Sequence, residues 1–506
     1  MPIPKDILEV KRPKNTVVVA YGKNKDRYAV RQRVGCRYVN GRHVPVNGPI
    51  IGHIIDHQYV EKKNDDMESV SQASVDLKDW ANIVFCDHLF KDMLEDLRKV
   101  YNKEDSETIY CIAILRVCYK GITDCRLQDR YESSFLSVLY PNVNLRKNRV
   151  SRFLNDLGKT YSRIVTFMRS RADQVAKDHH ILLDGTLKTD DSIINSLSAF
   201  SRKAKTKGRQ DISVLFAYDL EEDEPVCSKC FPGNMIDQRS YEAFISENNI
   251  THGLIVGDKG FPEKSAHKQF EAHPDLHYLN PIKRNSKFIK THDMLEFTGI
   301  LNDRDGITFK KEKCRGINKW LYSFRDADKA NAEERDWLRN AKKKGYDAEK
   351  YEQKRKEFGT IVLESDIDMT PETAYKAYSD RWAIELVMRY YKTACEFDTT
   401  REHDDYSVIG SEFCDFLSTV LTFKLLKRFE DEKLLEDYTY KDLMDILKGA
   451  KKVKISDSSD WSLIRILIKN EEVLRKLDLI SKKPEPPKRK RGRPKGSRNK
   501  TTASQE

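Results

Sequence analysis

The chain has 506 residues, which is too long for one ordinary hydrophobic core and predicts about two to four domains. Its 39% of hydrophobic residues is enough for globular folding, while 34% of charged residues predicts a strongly ionised surface. No run of eighteen apolar residues occurs and the first residues lack the apolar core of a signal peptide, so we expect neither a membrane span nor secretion. Ten cysteines in so long a chain indicate reduced thiols in a cytoplasmic protein.

Residues 1–67 are predicted to form a β-rich amino-terminal module. Stretches such as NTVVVAYG and YVNGRHVPVNGPIIGHII alternate β-branched with polar residues, which is the pattern of half-buried strands. Their Asn-Gly pairs favour tight hairpin turns.

Residues 68–177 are predicted to be helical. The region ends with VNLRKNRVSRFLNDLGKTY, in which apolar residues recur at helical spacing. Four basic residues crowd the start of that helix: Arg146, Lys147, Arg149 and Arg152. We interpret it either as a helix-turn-helix-like DNA contact or as a solvated basic helix.

Residues 178–284 are predicted to form a mixed α/β sheet. Three short apolar strands (HHILLDGT, DISVLFAYD and EPVCSKCF) are followed by a helix, a strand (THGLIVGDKGF), a second helix and a last strand (LHYLNPIK). Residues 285–365 are strongly charged and are predicted to hold two more strands, KWLYSFRD and FGTIVLES, with a helix-prone stretch, KANAEERDWLRNAKKKG, between them. Residues 431–480 are predicted to be helical.

Two aspartates are predicted at strand ends in this region. Asp184 precedes Gly185-Thr186, and Asp258 precedes Lys259-Gly260. Asp-Gly and Gly-Asp pairs commonly end strands, which gives each aspartate an ordinary explanation. Two carboxylates at one edge of an α/β sheet, faced by a glutamate on a helix, would also make an all-oxygen pocket for divalent cations.

Residues 378–392, YSDRWAIELVMRYYK, are predicted to form one amphipathic helix. At 100° per residue, Tyr378, Arg381, Glu385 and Lys392 fall within an arc of about 60°, a stripe roughly 21 Å long. Arg381 and Glu385 are four residues apart, so a surface ion pair is the simpler explanation of that part of the stripe.

The net charge of +11 is concentrated in residues 481–506, which hold ten Lys or Arg and two Glu. This Pro-rich tail without aromatic residues is predicted to be disordered. Within it, Arg491-Gly492-Arg493-Pro494 resembles the core of an AT-hook, whose arginines enter the minor groove of A·T-rich DNA. Unspecific binding of phosphates is the alternative.

Together, LLDGT, GLIVGDKGF and the pattern Y-x2-R-x3-E-x6-K resemble the DDE transposases of bacterial insertion sequences, in the group with the Y-R-E-K signature. FPGNMID, residues 231–237, is also similar to that group. The resemblance implies a ribonuclease H-like core of residues 178–284 and 366–430, with an insertion at 285–365. It further implies that Asp184, Asp258 and Glu385 are the catalytic metal ligands.

The resemblance also implies the chemistry and the partners. Two Mg²⁺ ions, for which Mn²⁺ can substitute, would serve hydrolysis and then strand transfer. Tyr378, Arg381 and Lys392 would contact DNA at the reacting end. We expect the partners to be double-stranded inverted-repeat ends and target DNA, bound by a homodimer associated with the nucleoid.

Two other functions fit the same sequence. One is a DNA-binding protein derived from a transposase that has lost strand transfer, and the other is a metal-dependent nuclease that cuts without joining. We interpret His179 and His180 as residues at the entry of the first strand, and DLEEDEP, residues 219–225, as a solvated hairpin turn and not a second metal site.

Overall fold

The computed structural model describes most of the chain, namely residues 3–22, 27–39, 42–61, 75–190, 192, 194–201, 208–235, 237–258, 263–394, 396–400, 402–455 and 460–481. Its contacts divide the chain into two compact units. The smaller consists of Met1–Asp76 and Val453–Ser462, and the larger of Leu77–Lys452 and Leu463–Glu506. No helix among the described residues is long and apolar enough to cross a membrane.

The smaller unit contains a four-stranded antiparallel sheet in the order β1-β2-β3-β4. Its strands are β1 (Thr16–Tyr21), β2 (Arg27–Val39), β3 (Arg42–Ile55) and β4 (Gln58–Glu61), after a short helix at Lys5–Leu8. One face of the sheet buries a small apolar core: Ile7, Val18, Val30 and Ile54. Strand β5 (Val75–Asp79) pairs with β16 (Lys451–Ile455), which pairs with β17 (Ser462–Leu463).

The larger unit begins with a group of helices. They span Ala81–Leu89, Lys91–Val100, Lys103–Cys118, Leu127–Glu132, Leu136–Leu139, Lys147–Lys159 and Tyr161–Ala172, with a 3₁₀ turn at Asp124–Arg126. The helix Lys103–Cys118 is buried on nearly all sides, so it forms the centre of this group.

The helices of this group pack against a long helix, Asp405–Asp431. A Cβ atom at Gly158 would lie 1.9 Å from the Tyr406 carbonyl oxygen, and one at Gly410 would lie 2.1 Å from that of Leu154. The two helix backbones therefore approach so closely that only glycine fits at these two positions.

A ten-stranded mixed sheet forms the centre of the larger unit. Its strands are β6 (His180–Asp190), β7 (Gln210–Asp219), β8 (Glu224–Pro232), β9 (His252–Val256), β10 (Asp275–Pro281), β11 (Gly299–Ile300), β12 (Ile307–Lys313), β13 (Trp320–Asp326), β14 (Thr360–Ser365) and β15 (Thr399–Thr400). The order is β11-β12-β13-β14-β10-β9-β6-β7-β8, with β15 beside β6.

One block of parallel pairs lies in the middle of this sheet, with antiparallel pairs on both sides of it. Strands β6, β7 and β8 are antiparallel neighbours, whereas β6, β9 and β10 run parallel. Strand β14 joins β10 antiparallel, so the strands of the charged stretch 285–365 extend the central sheet. Four of the five residues of β9 are buried, as expected for a parallel strand covered on both faces.

Further helices cover the sheet or follow it. They span Asp237–Asn248, Glu263–Ala272, Lys287–Thr291, Ala327–Lys344, Ala348–Arg355, Pro371–Ser379, Trp382–Arg389, Tyr440–Gly449 and Ile468–Lys476, with a π-helix at Tyr390–Ala394 and a 3₁₀ turn at Leu434–Glu436. The mixed α/β class predicted from the sequence is confirmed.

Candidate active site

Asp184 lies inside strand β6, opposite Phe216 of β7. The prediction that the strand ends at this aspartate is wrong, because β6 continues to Asp190. The physical reason is that β7 pairs with β6 over its whole length, so the backbone beyond Gly185 keeps its hydrogen-bond partners. The Oδ1 atom of Asp184 accepts a hydrogen bond of 2.8 Å from the Gly185 N–H.

Asp258 follows strand β9 by two residues, as predicted. Strands β6 and β9 run parallel, with Leu182 opposite Val256. Asp184 and Asp258 therefore each lie two residues beyond a paired position, at the carboxyl end of β9. Parallel pairing brings the two aspartates to the same edge of the sheet.

Glu385 lies on the helix Trp382–Arg389, which packs against β6. Ile384 and Val387 are buried and fix the orientation of the helix. The Glu385 side chain remains 59% exposed, so a large substrate can reach it.

Arg381 lies between two of the candidate carboxylates. Its Nη1 is 3.9 Å from Asp258 Oδ1, and its Nη2 is 3.6 Å from Glu385 Oε1. The guanidinium also lies 5.7 Å from the ring centroid of Tyr378. Arg381 therefore does not simply form a surface ion pair with Glu385. The same cation also approaches Asp258, which follows strand β9.

The pKa of the Asp184 carboxyl depends on burial and on the charges of the other candidate site residues. Burial raises this pKa, the Gly185 N–H and Arg381 oppose the rise, and the negative charges of Asp258 and Glu385 add to it. The pKa of Tyr378 is raised mainly by burial, while Arg381 opposes that rise. The sheet and the helix therefore bring Asp184, Asp258, Glu385, Arg381 and Tyr378 into one neighbourhood.

The three carboxylates do not converge on a single point. Within the described part of the chain, one group of His, Cys, Asp and Glu has ligand atoms all within 4.8 Å of one another, and it consists of His179, Asp219 and Glu221. The carboxylates of the candidate site are more widely spaced. Like charges repel, and the guanidinium of Arg381 occupies the space beside two of them.

The group around His179 lies at the amino-terminal end of strand β6, away from Asp184. His179 Nδ1 is 2.8 Å from Asp219 Oδ2, and Asp219 Oδ1 accepts hydrogen bonds from the N–H groups of Glu221 and Glu222. These contacts close the turn between β7 and β8. At about 3.3 Å per residue, four residues of strand separate His180 from Asp184 by roughly 13 Å.

The stretch 378–392 is not one continuous helix, so the predicted single stripe is wrong in its geometry. The helix Pro371–Ser379 ends before Arg381, a second helix follows, and Lys392 lies in the π-helix Tyr390–Ala394. A π-helical turn changes the angle per residue, which moves Lys392 off the line through Glu385. Lys392 lies close enough to Asp211 of β7 to oppose the rise that burial causes in the pKa of that carboxyl.

A buried charged cluster that no local motif in the sequence indicates lies next to the site. Lys188 of β6 contacts Glu412 and lies 2.9 Å from Asp415 Oδ2. Arg116 Nη1 lies 2.7 Å from Asp415 Oδ1, and the Tyr391 hydroxyl donates to Glu412 at 2.5 Å. Lys188, Glu412, Asp415, Arg116 and Tyr391, which we call the buried charge cluster, join β6, the π-helix and the helices Lys103–Cys118 and Asp405–Asp431.

The sequence predicts two further DNA contacts outside the core, one on a basic helix and one in the tail. Arg146, Lys147, Arg149 and Arg152 are exposed, while Val150 and Leu154 of the same helix are buried. Arg149 forms an ion pair of 2.7 Å with Glu104. The AT-hook-like residues 491–494 lie outside the residues that the structure describes.

One family model and one solved structure resemble parts of this chain. Residues 176–405 match the family model described as "Transposase DDE domain", and this range contains all three candidate carboxylates and the whole Y-R-E-K pattern. A cryo-EM structure of the piggyBac transposase synaptic complex with hairpin DNA is similar with 11% sequence identity and a TM-score of 0.39, over 73% of this chain and 79% of that one. No curated protein matches the sequence. The domain match supports a DDE transposase family.

Proposed function

We propose that this protein is a transposase that cleaves the ends of an insertion sequence and joins them to target DNA. The observation that supports this proposal best is the location of Asp184, Asp258 and Glu385 near one another at one edge of the sheet, inside a region that matches a transposase DDE domain. The block β8-β7-β6-β9-β10 suits a ribonuclease H-like core, in which three antiparallel strands precede two parallel ones.

The chemistry of the three side chains fits divalent metal ions. All three offer carboxylate oxygens, the ligands that Mg²⁺ and Mn²⁺ prefer, and two of them, Asp258 and Glu385, already lie beside one cation, the guanidinium of Arg381. Two bound ions would activate the attacking oxygen and stabilise the leaving oxygen. Asp184, Asp258 and Glu385 would hold these ions, the two aspartates from the sheet and the glutamate from the helix.

The remaining residues would position the DNA. Arg381 can exchange its carboxylate partners for a phosphate, which suits a guanidinium equally well. Tyr378 lies beside Arg381 and would contact the backbone at the same phosphate, while Lys392 would act farther along the strand from its place on the π-helix. The basic helix Lys147–Lys159 and the tail residues 481–506 would add contacts to phosphates.

The reaction then needs no covalent bond between protein and DNA. Water loses a proton as its oxygen attacks the phosphorus at the transposon end, the bond between the phosphorus and the 3′ oxygen breaks, and that oxygen takes up a proton to become a 3′-hydroxyl. In the second step the 3′-hydroxyl loses its proton and attacks a phosphorus of the target, which displaces a target 3′ oxygen. We propose that two copies of the chain act together on the two ends.

An assay with the DNA that flanks the coding sequence tests this function. The purified protein and Mg²⁺ or Mn²⁺ are incubated with a plasmid that carries the gene and its flanks, and both cleaved and joined products are measured. We expect cleavage at terminal inverted repeats and joining to a second plasmid. Cleavage without joining would identify a nuclease instead, and binding without cleavage would identify a DNA-binding derivative.

A further inference from the structure

A large cleft lies within the larger unit, beside the π-helix that follows the candidate catalytic helix. Its volume is about 1110 Å³, and it lies between residues 117–130, the helix Tyr440–Gly449 and the π-helix residues Tyr390 and Thr393. Pockets for drug-sized ligands measure about 300–1000 Å³, so this cleft has room for a larger ligand. None of its residues is a signature position of a motif recognised in the sequence.

The charge of the cleft favours an anionic ligand. Two acidic side chains, Asp129 and Asp445, line it, against five basic ones: Lys120, Arg126, Arg130, Lys441 and Lys448. Arg126 pairs with Asp129 at 3.2 Å. The structure gives no ion pair between Arg130 or Lys448 and any described carboxylate, and both lie 5.2 Å from the ring centroid of Tyr119.

The Asp79 carboxylate, which contacts Tyr119, is already paired with a cation. The Tyr119 hydroxyl donates to Asp79 Oδ2 at 2.6 Å, and Asp79 Oδ1 lies 2.8 Å from Lys451 Nζ. Asp79 is therefore not available to Arg130 or Lys448. The two cations hold positive charge in the cleft that a phosphate can neutralise.

Aromatic rings accompany these charges. The rings of Tyr390 and Tyr440 lie 6.0 Å apart at an angle of 64°, and both residues line the cleft together with Tyr119. Cations for the backbone and aromatic faces for the bases are the combination by which proteins bind single-stranded nucleic acid. Duplex DNA keeps its bases stacked inside and would leave such rings without a ligand.

The cleft also lies close to the candidate active site along the chain. Tyr390 follows Glu385 by five residues, which is roughly 7.5 Å of helix at 1.5 Å per residue. Five residues also turn a helix by about 140°, so a strand must pass around it, and at about 3.4 Å per nucleotide more than two nucleotides are needed to connect the two places.

We propose that this cleft binds a short unpaired segment of the DNA strand next to the reacting end. Arg130 and Lys448 would contact its phosphates, and Tyr390 and Tyr440 would stack with its bases. The identity of the ligand as DNA rests on the proposed function, whereas the preference for an unpaired nucleic-acid strand rests on the cleft itself.

Binding of labelled oligonucleotides to the full-length protein tests the proposal. Fluorescence anisotropy is measured at one fixed salt concentration with a single-stranded oligothymidine and with a duplex, for the wild type and for Arg130→Glu/Lys448→Glu. The matched control is Lys342→Glu/Lys343→Glu, which changes the net charge equally on exposed residues of the helix Ala327–Lys344. Thermal melting checks that both variants fold.

We expect the cleft variant to lose at least about 10-fold in affinity for the single strand and much less for the duplex, while the control loses little of either. Equal losses in the cleft and control variants would overturn the proposal, and so would equal losses for single strand and duplex. Competition with free thymidine monophosphate distinguishes a site for a DNA strand from a site for a free nucleotide. If the free nucleotide displaced the oligonucleotide at equal concentration, the cleft would be a small-nucleotide site and the proposal would be wrong.

A second variant separates this proposal from the proposed function. Asp258→Asn should bind the single strand as the wild type does, because Asp258 does not line the cleft. Loss of DNA cleavage with unchanged binding in Asp258→Asn, together with loss of binding in the cleft variant, would support both proposals independently. An inactive wild type that still bound single strands through the cleft would overturn only the proposed function.

Discussion

Strand β6 carries two charged clusters, one around Asp184 and one around Lys188. The two residues are four positions apart, so their side chains project from the same face of the sheet. The Lys188 side chain is 3% exposed, and short contacts join it to two carboxylates that are equally buried. At the other cluster Glu385 is 59% exposed, and Arg381 reaches Asp258 and Glu385 only at 3.9 and 3.6 Å.

This difference places similar residues in two environments, one that suits a structural role and one that leaves the charges able to exchange partners. Buried ions must be fully paired, because an uncompensated charge in the interior is costly. Loose, exposed pairs contribute little to stability and can exchange partners. The same chain segment connects the clusters, since Glu385 belongs to one and Tyr391, on the π-helix that follows, belongs to the other.

The carboxylates around Asp184 form what we call the open cluster. Their substitution should give the largest difference between the effect on cleavage and the effect on stability. Asp258→Asn and Glu385→Gln should lower the rate of DNA cleavage by at least about 1000-fold, because each removes a metal ligand. The free energy of unfolding should change by less than about 1 kcal/mol, since both side chains are largely exposed and loosely paired. Single-turnover cleavage and denaturant unfolding on the same preparations measure both effects. Full cleavage by either variant would remove that residue from the site.

Lys188→Met should show the opposite behaviour. It leaves Glu412 without its cation in the interior, so the free energy of unfolding should fall by about 3–5 kcal/mol. Denaturant unfolding measures the loss, and Lys188→Met/Glu412→Gln is the control, because removing both charges should restore part of the stability. A single variant as stable as the wild type would contradict the account of this cluster as structural.

Arg381→Ala is expected to have an intermediate effect. Misplacement of the scissile phosphate by about 1 Å costs on the order of 100-fold in rate, and we expect a loss of that size in single-turnover cleavage. Arg381→Lys keeps the charge but not the planar fork, so it should recover only part of the rate. Unchanged cleavage in Arg381→Ala would leave Arg381 with no role beyond its ion pairs.

The smallest effect concerns Glu402, which faces Asp124 beside the buried charge cluster. Burial, followed by the negative charge of Asp124, raises its pKa to about 7. The folded protein therefore holds this proton where the unfolded chain has lost it, so stability falls as the pH rises from about 4.5 to 7. Glu402→Gln should be more stable than the wild type at pH 8, by about 1–3 kcal/mol, and equally stable at pH 4. Unfolding curves at both pH values test the sign.

The sequence allowed the open cluster to be predicted but not the buried one. Asp184, Asp258 and Glu385 lie in short motifs next to apolar strands or on an apolar helix, so their neighbourhood could be inferred. Lys188 and Arg116 contact residues more than 220 positions away, and each resembles an ordinary surface residue in its local sequence.

The π-helix was not predictable either. YSDRWAIELVMRYYK contains no glycine or proline, and its apolar spacing suits a regular α-helix. The wider turn has a tertiary cause, because the ring of Tyr390 packs against Phe423 while that of Tyr391 packs against Phe216. Both contacts involve residues distant in sequence, and they carry Lys392 away from the predicted stripe.

We propose that the carboxylates around Arg381, and not the group around His179, form the metal site. Calorimetric titration of the full-length protein with Mn²⁺ distinguishes the two groups, with Glu385→Gln compared against Glu221→Gln. We expect Glu385→Gln to weaken or abolish Mn²⁺ binding, while Glu221→Gln should bind as the wild type does. Unchanged binding in Glu385→Gln together with lost binding in Glu221→Gln would contradict it.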